Sequence, residues 1–105
     1  MLPVNSIKRT GQRIFDMRQL HTFRVVAMTR NFTRAAAEMG CCQSTVTVHI
    51  RALERELGVS LFERNRCSKK VALTEEGRRA LEYAERLLAL ANEVQTVISP
   101  HPAAG

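Results

Sequence analysis

At 105 residues, 45% hydrophobic, 5% aromatic and 25% charged, the chain is one small domain with a core built mainly from aliphatic side chains, too short for a second, independently folded catalytic unit. Sixteen Lys and Arg against ten Asp and Glu give a net charge of +6, which favours an anionic partner, nucleic acid before a membrane surface. No apolar run reaches the roughly eighteen residues of a membrane span and no signal-peptide core opens the chain, so a cytoplasmic protein is expected; three cysteines, two of them adjacent, exclude a disulfide framework.

Residues 1–16 carry Pro3, Gly11, Lys8, Arg9 and Arg13 without apolar periodicity and read as a basic N-terminal arm. At Asp16 the pattern changes. Asp16 with Gln19 forms a capping-box signature, and Leu20, Phe23, Val26 and Ala27 follow at helical spacing, predicting a helix over about 17–30. Asn31 and Phe32 break it. Thr33 is expected to cap a short helix over 34–39 that turns Ala35, Ala36 and Met39 inward and ends at Gly40. A third helix over about 43–57 has the sharpest pattern in the chain, an apolar stripe of Val46, Ile50, Leu53 and Leu57 closed by Gly58.

Two helices joined by a short Gly-containing turn, preceded by a third and set in a basic chain, match the DNA-binding helix-turn-helix. Opposite the apolar stripe lie Gln43, Ser44, Thr47 and Arg51, a candidate reading edge: Gln pairs with adenine, Arg with guanine, Ser and Thr with phosphates or bases, and Val48 can touch a thymine methyl. On an arbitrary helix such a stripe is only the solvated face. Here the paired short helix and the positive charge argue for a groove.

Val59 to Arg64 and Lys70 to Leu73 are short extended runs around a basic tip, the pattern of a two-stranded wing whose Arg64, Arg66, Lys69 and Lys70 face phosphates or a minor groove. Charge divides at this point: residues 1–73 hold thirteen basic and five acidic side chains, net +8, and residues 74–105 hold three and five, net −2. Beyond Thr74 one long helix runs from Glu75 to about Ile98, before a tail over 99–105. Its Ala80, Ala84, Leu87, Ala91 and Val94 recur at alternating four- and three-residue steps, the spacing of a helix–helix seam, and Leu88 widens the apolar surface, so these six residues form the expected homodimer interface.

These residues resemble the N-terminal winged helix-turn-helix of LysR-type transcriptional regulators. The resemblance runs from Met17 to about Val97 and is carried by Arg18-Gln19-Leu20 with Phe23, Phe32-Thr33-Arg34-Ala35-Ala36, Gln43-Ser44-Thr45-Val46-Thr47, Ile50-Arg51-Ala52-Leu53-Glu54, Glu56-Leu57-Gly58-Val59, Leu61-Phe62-Glu63-Arg64 and Leu73-Thr74-Glu75-Glu76-Gly77. It implies sequence-specific binding of double-stranded DNA as a dimer at an interrupted inverted repeat, for transcription regulation on the bacterial nucleoid. Base contacts would fall to Gln43, Ser44, Thr47 and Val48, and backbone contacts to Thr33, Arg34 and the wing. The chain departs from the family pattern at Cys42, where Ser or Thr usually caps the helix, and at Val48, where Arg, His or Gln is common. Family members carry a larger effector-sensing domain with no counterpart here, as expected either of a DNA-binding fragment or of a stand-alone form.

The expected architecture is therefore mainly α: a three-helix core with a two-stranded β-wing over 17–73, then a linker and dimerisation helix over 74–98. An enzyme is excluded by inventory, since no nucleophile elbow or Gly-rich phosphate loop is present. An RNA reader would expose aromatic rings for stacking, and the polar stripe has none. Cys41 reads as a small buried apolar residue. The spacing of Cys41, Cys42, Cys67, His21 and His49 suits no zinc site, and neither a cofactor nor a small-molecule site is expected.

Overall fold

The computed structural model describes residues 14–63 and 70–98. The basic arm up to residue 13, the wing tip with Arg64, Arg66, Cys67 and Lys69, and the tail after Ile98 lie outside the described residues. In chain order the elements are α1 (Met17–Thr29), α2 (Phe32–Met39), α3 (Gln43–Leu57), β1 (Phe62–Glu63), β2 (Ala72–Leu73) and α4 (Glu75–Ile98). The fold is mainly helical, a winged helix-turn-helix followed by a long helix. Helix α1 packs against α2, α3 and α4, and α2 packs on α3.

Local chemistry sets the boundaries. Asp16 accepts a hydrogen bond from the Gln19 amide at 2.9 Å, and the Gln19 side chain accepts from the Asp16 amide at 3.2 Å, so two otherwise unpaired donors at the start of α1 are satisfied reciprocally. The next cap corrects the sequence reading. Asn31, not Thr33, caps α2, accepting from the Arg34 amide at 2.9 Å, and the helix begins at Phe32. Asn is at least as good a cap as Thr, and this register lets the Phe32 ring meet Phe62 edge to face at 6.0 Å. At the end of α2, Gly40 has φ +70°. The amide of Cys41 bonds the Ala36 carbonyl and that of Gly40 the Ala37 carbonyl, a Schellman closure that turns the chain into α3.

The core is aliphatic around an aromatic joint. Val26, Ala35, Val46, Ile50, Leu53 and Leu61 are fully buried, and Phe23 meets Phe62 edge to face at 5.5 Å at their centre. Each fully buried Val, Ile, Leu or Phe side chain stabilises the fold by about 1.5–3 kcal/mol. The buried polar side chain Thr22 has its hydroxyl 2.8 Å from Nδ1 of His49, which joins α1 to α3.

The wing strands are shorter than the apolar runs suggest. Phe62 pairs with Leu73 and Glu63 with Ala72 in antiparallel register. The Thr74 amide still donates to the Leu61 carbonyl at 3.0 Å, but the Leu61 amide donates to the Glu54 carboxylate at 2.8 Å, which leaves the next pair incomplete on that side; the Val71 amide donates to the Arg30 carbonyl at 3.0 Å. Arg30 caps α1 in a left-handed conformation, φ +58°, and its Nε also reaches the Val71 carbonyl at 3.5 Å.

Thr74 joins the wing to the long helix. Its hydroxyl donates to the Ser60 carbonyl at 2.6 Å and accepts from the Gly77 amide at 2.9 Å, and its own amide donates to the Leu61 carbonyl at 3.0 Å. Gly77, buried in the first turn of α4, lies directly against that Leu61 carbonyl.

Candidate nucleic-acid interface

Helix α3 is amphipathic as the sequence predicts, except that Leu57, expected to complete the apolar stripe, is 38% exposed at the helix end. Val46, Ile50 and Leu53 are buried, whereas Gln43, Ser44, Val48 and Arg51 are exposed and Thr47 is half-buried on the other face. From Gln43 to Arg51 the helix advances about 12 Å, the width of a B-DNA major groove and enough to pass three or four base pairs. The row is polar and presents no ring or long apolar chain that would obstruct docking.

The second helix frames its entrance. Thr33 and Arg34, both exposed, stand at the start of α2 beside the start of α3. The Thr33 hydroxyl donates to Oε1 of Gln43 at 3.0 Å, a link between two candidate site residues that sequence spacing did not reveal. Cys42 is the N-terminal cap of α3, exposed and without a side-chain capping bond. The first amides of α3 therefore lack a side-chain acceptor from the cap, and a helix N-terminus can donate to a phosphate oxygen. Cys41 is half-buried and packs against the core, close to its expected place.

Of the four wing cations, Lys70 is described and exposed. Among the described residues no group of three His, Cys, Asp or Glu is arranged to hold a metal, and no helix is long and apolar enough to cross a membrane.

The expected dimer seam is divided by the fold. Ala84 is only 1% exposed, sealed inside the chain's own core, and Ala80 and Leu88 also pack on that core. Ala84 thus has no surface left for a second chain. Small residues at these positions let α4 lie close on α1, where Arg24 and Glu85 make a half-exposed ion pair at 3.7 Å. Further along α4, Leu87, Leu90, Val94, Val97 and Ile98 are exposed apolar residues. Between the helix and the core an apolar groove of about 330 Å³ opens, lined by Phe15, Leu20, Leu57, Tyr83 and Leu87 among others.

Comparison with known proteins agrees with this geometry. Residues 17–78 match the family model described as bacterial regulatory helix-turn-helix protein, lysR family. The HTH-type transcriptional regulator CitR of Bacillus subtilis (strain 168) is 47% identical over 73 residues, 70% of this chain and 24% of that protein. The RuBisCO operon transcriptional regulator of Allochromatium vinosum is 40% identical over 83 residues, 79% of this chain and 27% of that protein. The chain thus spans about a quarter of the length of these relatives, both regulators by name. Among solved structures, a crystal structure of a CbnR_DBD–DNA complex superposes with a TM-score of 0.74 at 36% identity, covering 78% of this chain and 92% of that one. A BenM_DBD/benA site 1 DNA complex gives 0.75 at 32%, covering 80% and 95%.

Proposed function

The chain belongs to the lysR family of bacterial regulatory helix-turn-helix proteins, and from that premise we propose that it binds an inverted-repeat operator in double-stranded DNA as a homodimer and so regulates transcription, in the cytoplasm on the bacterial nucleoid. The observation that carries this reading is the row of exposed Gln43, Ser44, Val48 and Arg51, with half-buried Thr47, on the outer face of α3, presented by a tight Schellman turn. Helix α3 enters the major groove. Arg34 and the α2 end of the turn bind phosphates on one side, while the wing basics Arg64, Arg66, Lys69 and Lys70 reach the backbone or the adjacent minor groove on the other. The net +8 of residues 1–73 supports the same polarity.

Selection of bound sites from random duplexes tests the proposal. Enrichment of a two-fold symmetric motif is the expected result; featureless enrichment would reduce the protein to a basic binder without readout. Within the selected site, Gln43→Ala and Thr47→Ala should each lower specific affinity by about 1–3 kcal/mol and leave non-specific affinity nearly intact. Equal losses on operator and random duplex would assign both residues to positioning on the backbone.

Arg34→Ala should behave differently. Removing one phosphate contact flattens the slope of log affinity against log salt by about one while base preference stays in place. A titration from low to moderate salt measures it, and an unchanged slope would place Arg34 off the DNA.

The homodimer is proposed to form along the distal part of α4, with Leu87, Ala91 and Val94 facing the partner and Leu88, packed on the chain's own core, at the edge of the seam. The exposed apolar side chains that extend this row, Leu90, Val97 and Ile98, and the apolar groove beside Leu87 support the assignment.

A further inference from the structure

We infer, on the proposed reading of α3 as the helix in the groove, that Val48 is a specificity residue that reads the C5-methyl group of a pyrimidine, so that binding is tighter where the pyrimidine facing it is thymine or 5-methylcytosine than where that base carries no methyl group.

The exposed row of α3 combines Gln43, Ser44 and Arg51, which hydrogen-bond, with Val48, which cannot. Val48 is 62% exposed although it is apolar. It follows Ser44 by four residues and precedes Arg51 by three, on the same face of the helix. Along the axis it stands about 7.5 Å from Gln43 and about 4.5 Å from Arg51, in the interior of a row as long as the groove is wide. Its place there is fixed. Both methyl groups of a valine leave Cβ directly and one rotamer dominates in a helix, so they cannot turn back along the backbone as a glutamine or arginine chain can. The backbone that carries them is held by Val46, Ile50 and Leu53, all fully buried.

Isolated apolar side chains are ordinary on a surface that stays wet. Val48 lies instead on the face that gives up its water when α3 docks. Valine has no donor or acceptor, so against a phosphate or the polar edge of a base it would displace water without replacing its hydrogen bonds. The apolar group that base edges present in the major groove is the C5-methyl of thymine. Cytosine has a bare C–H at the same ring position. Methylation of that carbon gives 5-methylcytosine, which shows the thymine methyl in the same place, keeps the N4 donor and still pairs with guanine. A side chain that recognises the methyl group alone responds to both bases, and the chemical class of its ligand is a C5-methylated pyrimidine in duplex DNA.

Duplex-site selection with the 105-residue chain first supplies the operator. Each thymine in it is then replaced by deoxyuridine, which lacks only the C5-methyl, and each cytosine by 5-methylcytosine, on both strands. Every base pair holds one pyrimidine, so the scan covers the position that faces Val48 whatever its sequence. At that position loss of the methyl group should weaken binding roughly fourfold for one half-site and roughly fifteenfold for both, and gain of it should strengthen binding by the same factors. Val48→Ser removes both methyl groups from an exposed position and leaves the core intact. At the Val48 position it should bind thymine and deoxyuridine, or cytosine and 5-methylcytosine, equally, and far-UV circular dichroism verifies that its helices persist.

A scan without a methyl effect at any position would overturn the inference, as would weaker binding on methylation at the position that Val48→Ser alters. So would methyl effects that all persist unchanged in Val48→Ser, since they then belong to other residues or to the shape of the duplex. Failure of the parent reading looks different and takes this assignment with it: selection then yields no symmetric motif, and Val48→Ser binds every duplex as the unsubstituted chain does.

Discussion

Gly77→Ala is expected to destabilise the domain by about 2–4 kcal/mol, although Ala is ordinarily the better residue inside a helix by about 1 kcal/mol. The reason is contact with backbone. A Cβ at residue 77 would collide with the carbonyl oxygen of Leu61 and would sit 3.1 Å from Cδ2 of Leu73. A side chain could rotate away, but this carbonyl is fixed: it accepts from the Thr74 amide at 3.0 Å and belongs to the residue that leads into β1. To admit one methyl group, α4 must lift from the base of the wing, which breaks the Thr74 bonds to Ser60 and Leu61 together. Thermal unfolding followed by circular dichroism should show a midpoint lower by more than about 10 °C, at roughly 4–8 °C per kcal/mol for a domain of this size. A variant as stable as the parent, or more stable, would mean that α4 is not seated on Leu61.

The second large effect concerns assembly. Leu87→Asp should convert the proposed homodimer to a monomer that still folds. Leu87 is 38% exposed, at the edge of the apolar groove and at the head of the exposed row on distal α4, so a charge there is tolerated in the free chain. In a dimer seam the same charge is buried twice, once from each chain, without an opposite partner among Ala91, Val94 and Leu90. Sedimentation should show a monomer, and affinity for the full inverted repeat should fall by roughly two to four orders of magnitude, since two linked recognition helices gain from effective concentration and one does not. Half-site binding should survive weakly. A persistent dimer with unchanged operator affinity would place the subunit contact elsewhere.

Much of this architecture was legible in the residues. The periods of α1, α3 and α4, the Asp16–Gln19 box and the glycine stop at residue 40 are local signals, and local signals are written in consecutive residues. What escaped them was settled by contacts distant in sequence. Thr33 is a good cap in isolation, but the Phe32–Phe62 contact rewards a helix that starts earlier, under Asn31. The run that begins at Val59 looks longer than the ladder because the Leu61 amide is drawn to Glu54, seven residues away, while the Val71 amide finds its acceptor at Arg30, forty-one residues away. Heptad spacing in α4 identified an apolar face, yet it could not say which chain covers which part. Ala84 went to the chain's own core and Leu87 stayed at the surface.

The pairing of Arg30 with Val71 also sets an order of assembly. Helices α1 to α3 lie within 41 consecutive residues and pack on one another. The Arg30–Val71 contact must instead close a loop of the same length back onto the end of α1, at a cost in chain entropy. The three helices are therefore expected to associate ahead of the Arg30–Val71 closure, an order that mutational analysis of the folding rates would check. In the native state the sequence runs in reverse. The amides of Val71 and Thr74 are accordingly expected to exchange their hydrogens ahead of those of Ile50 and Leu53, which residue-by-residue hydrogen exchange would check.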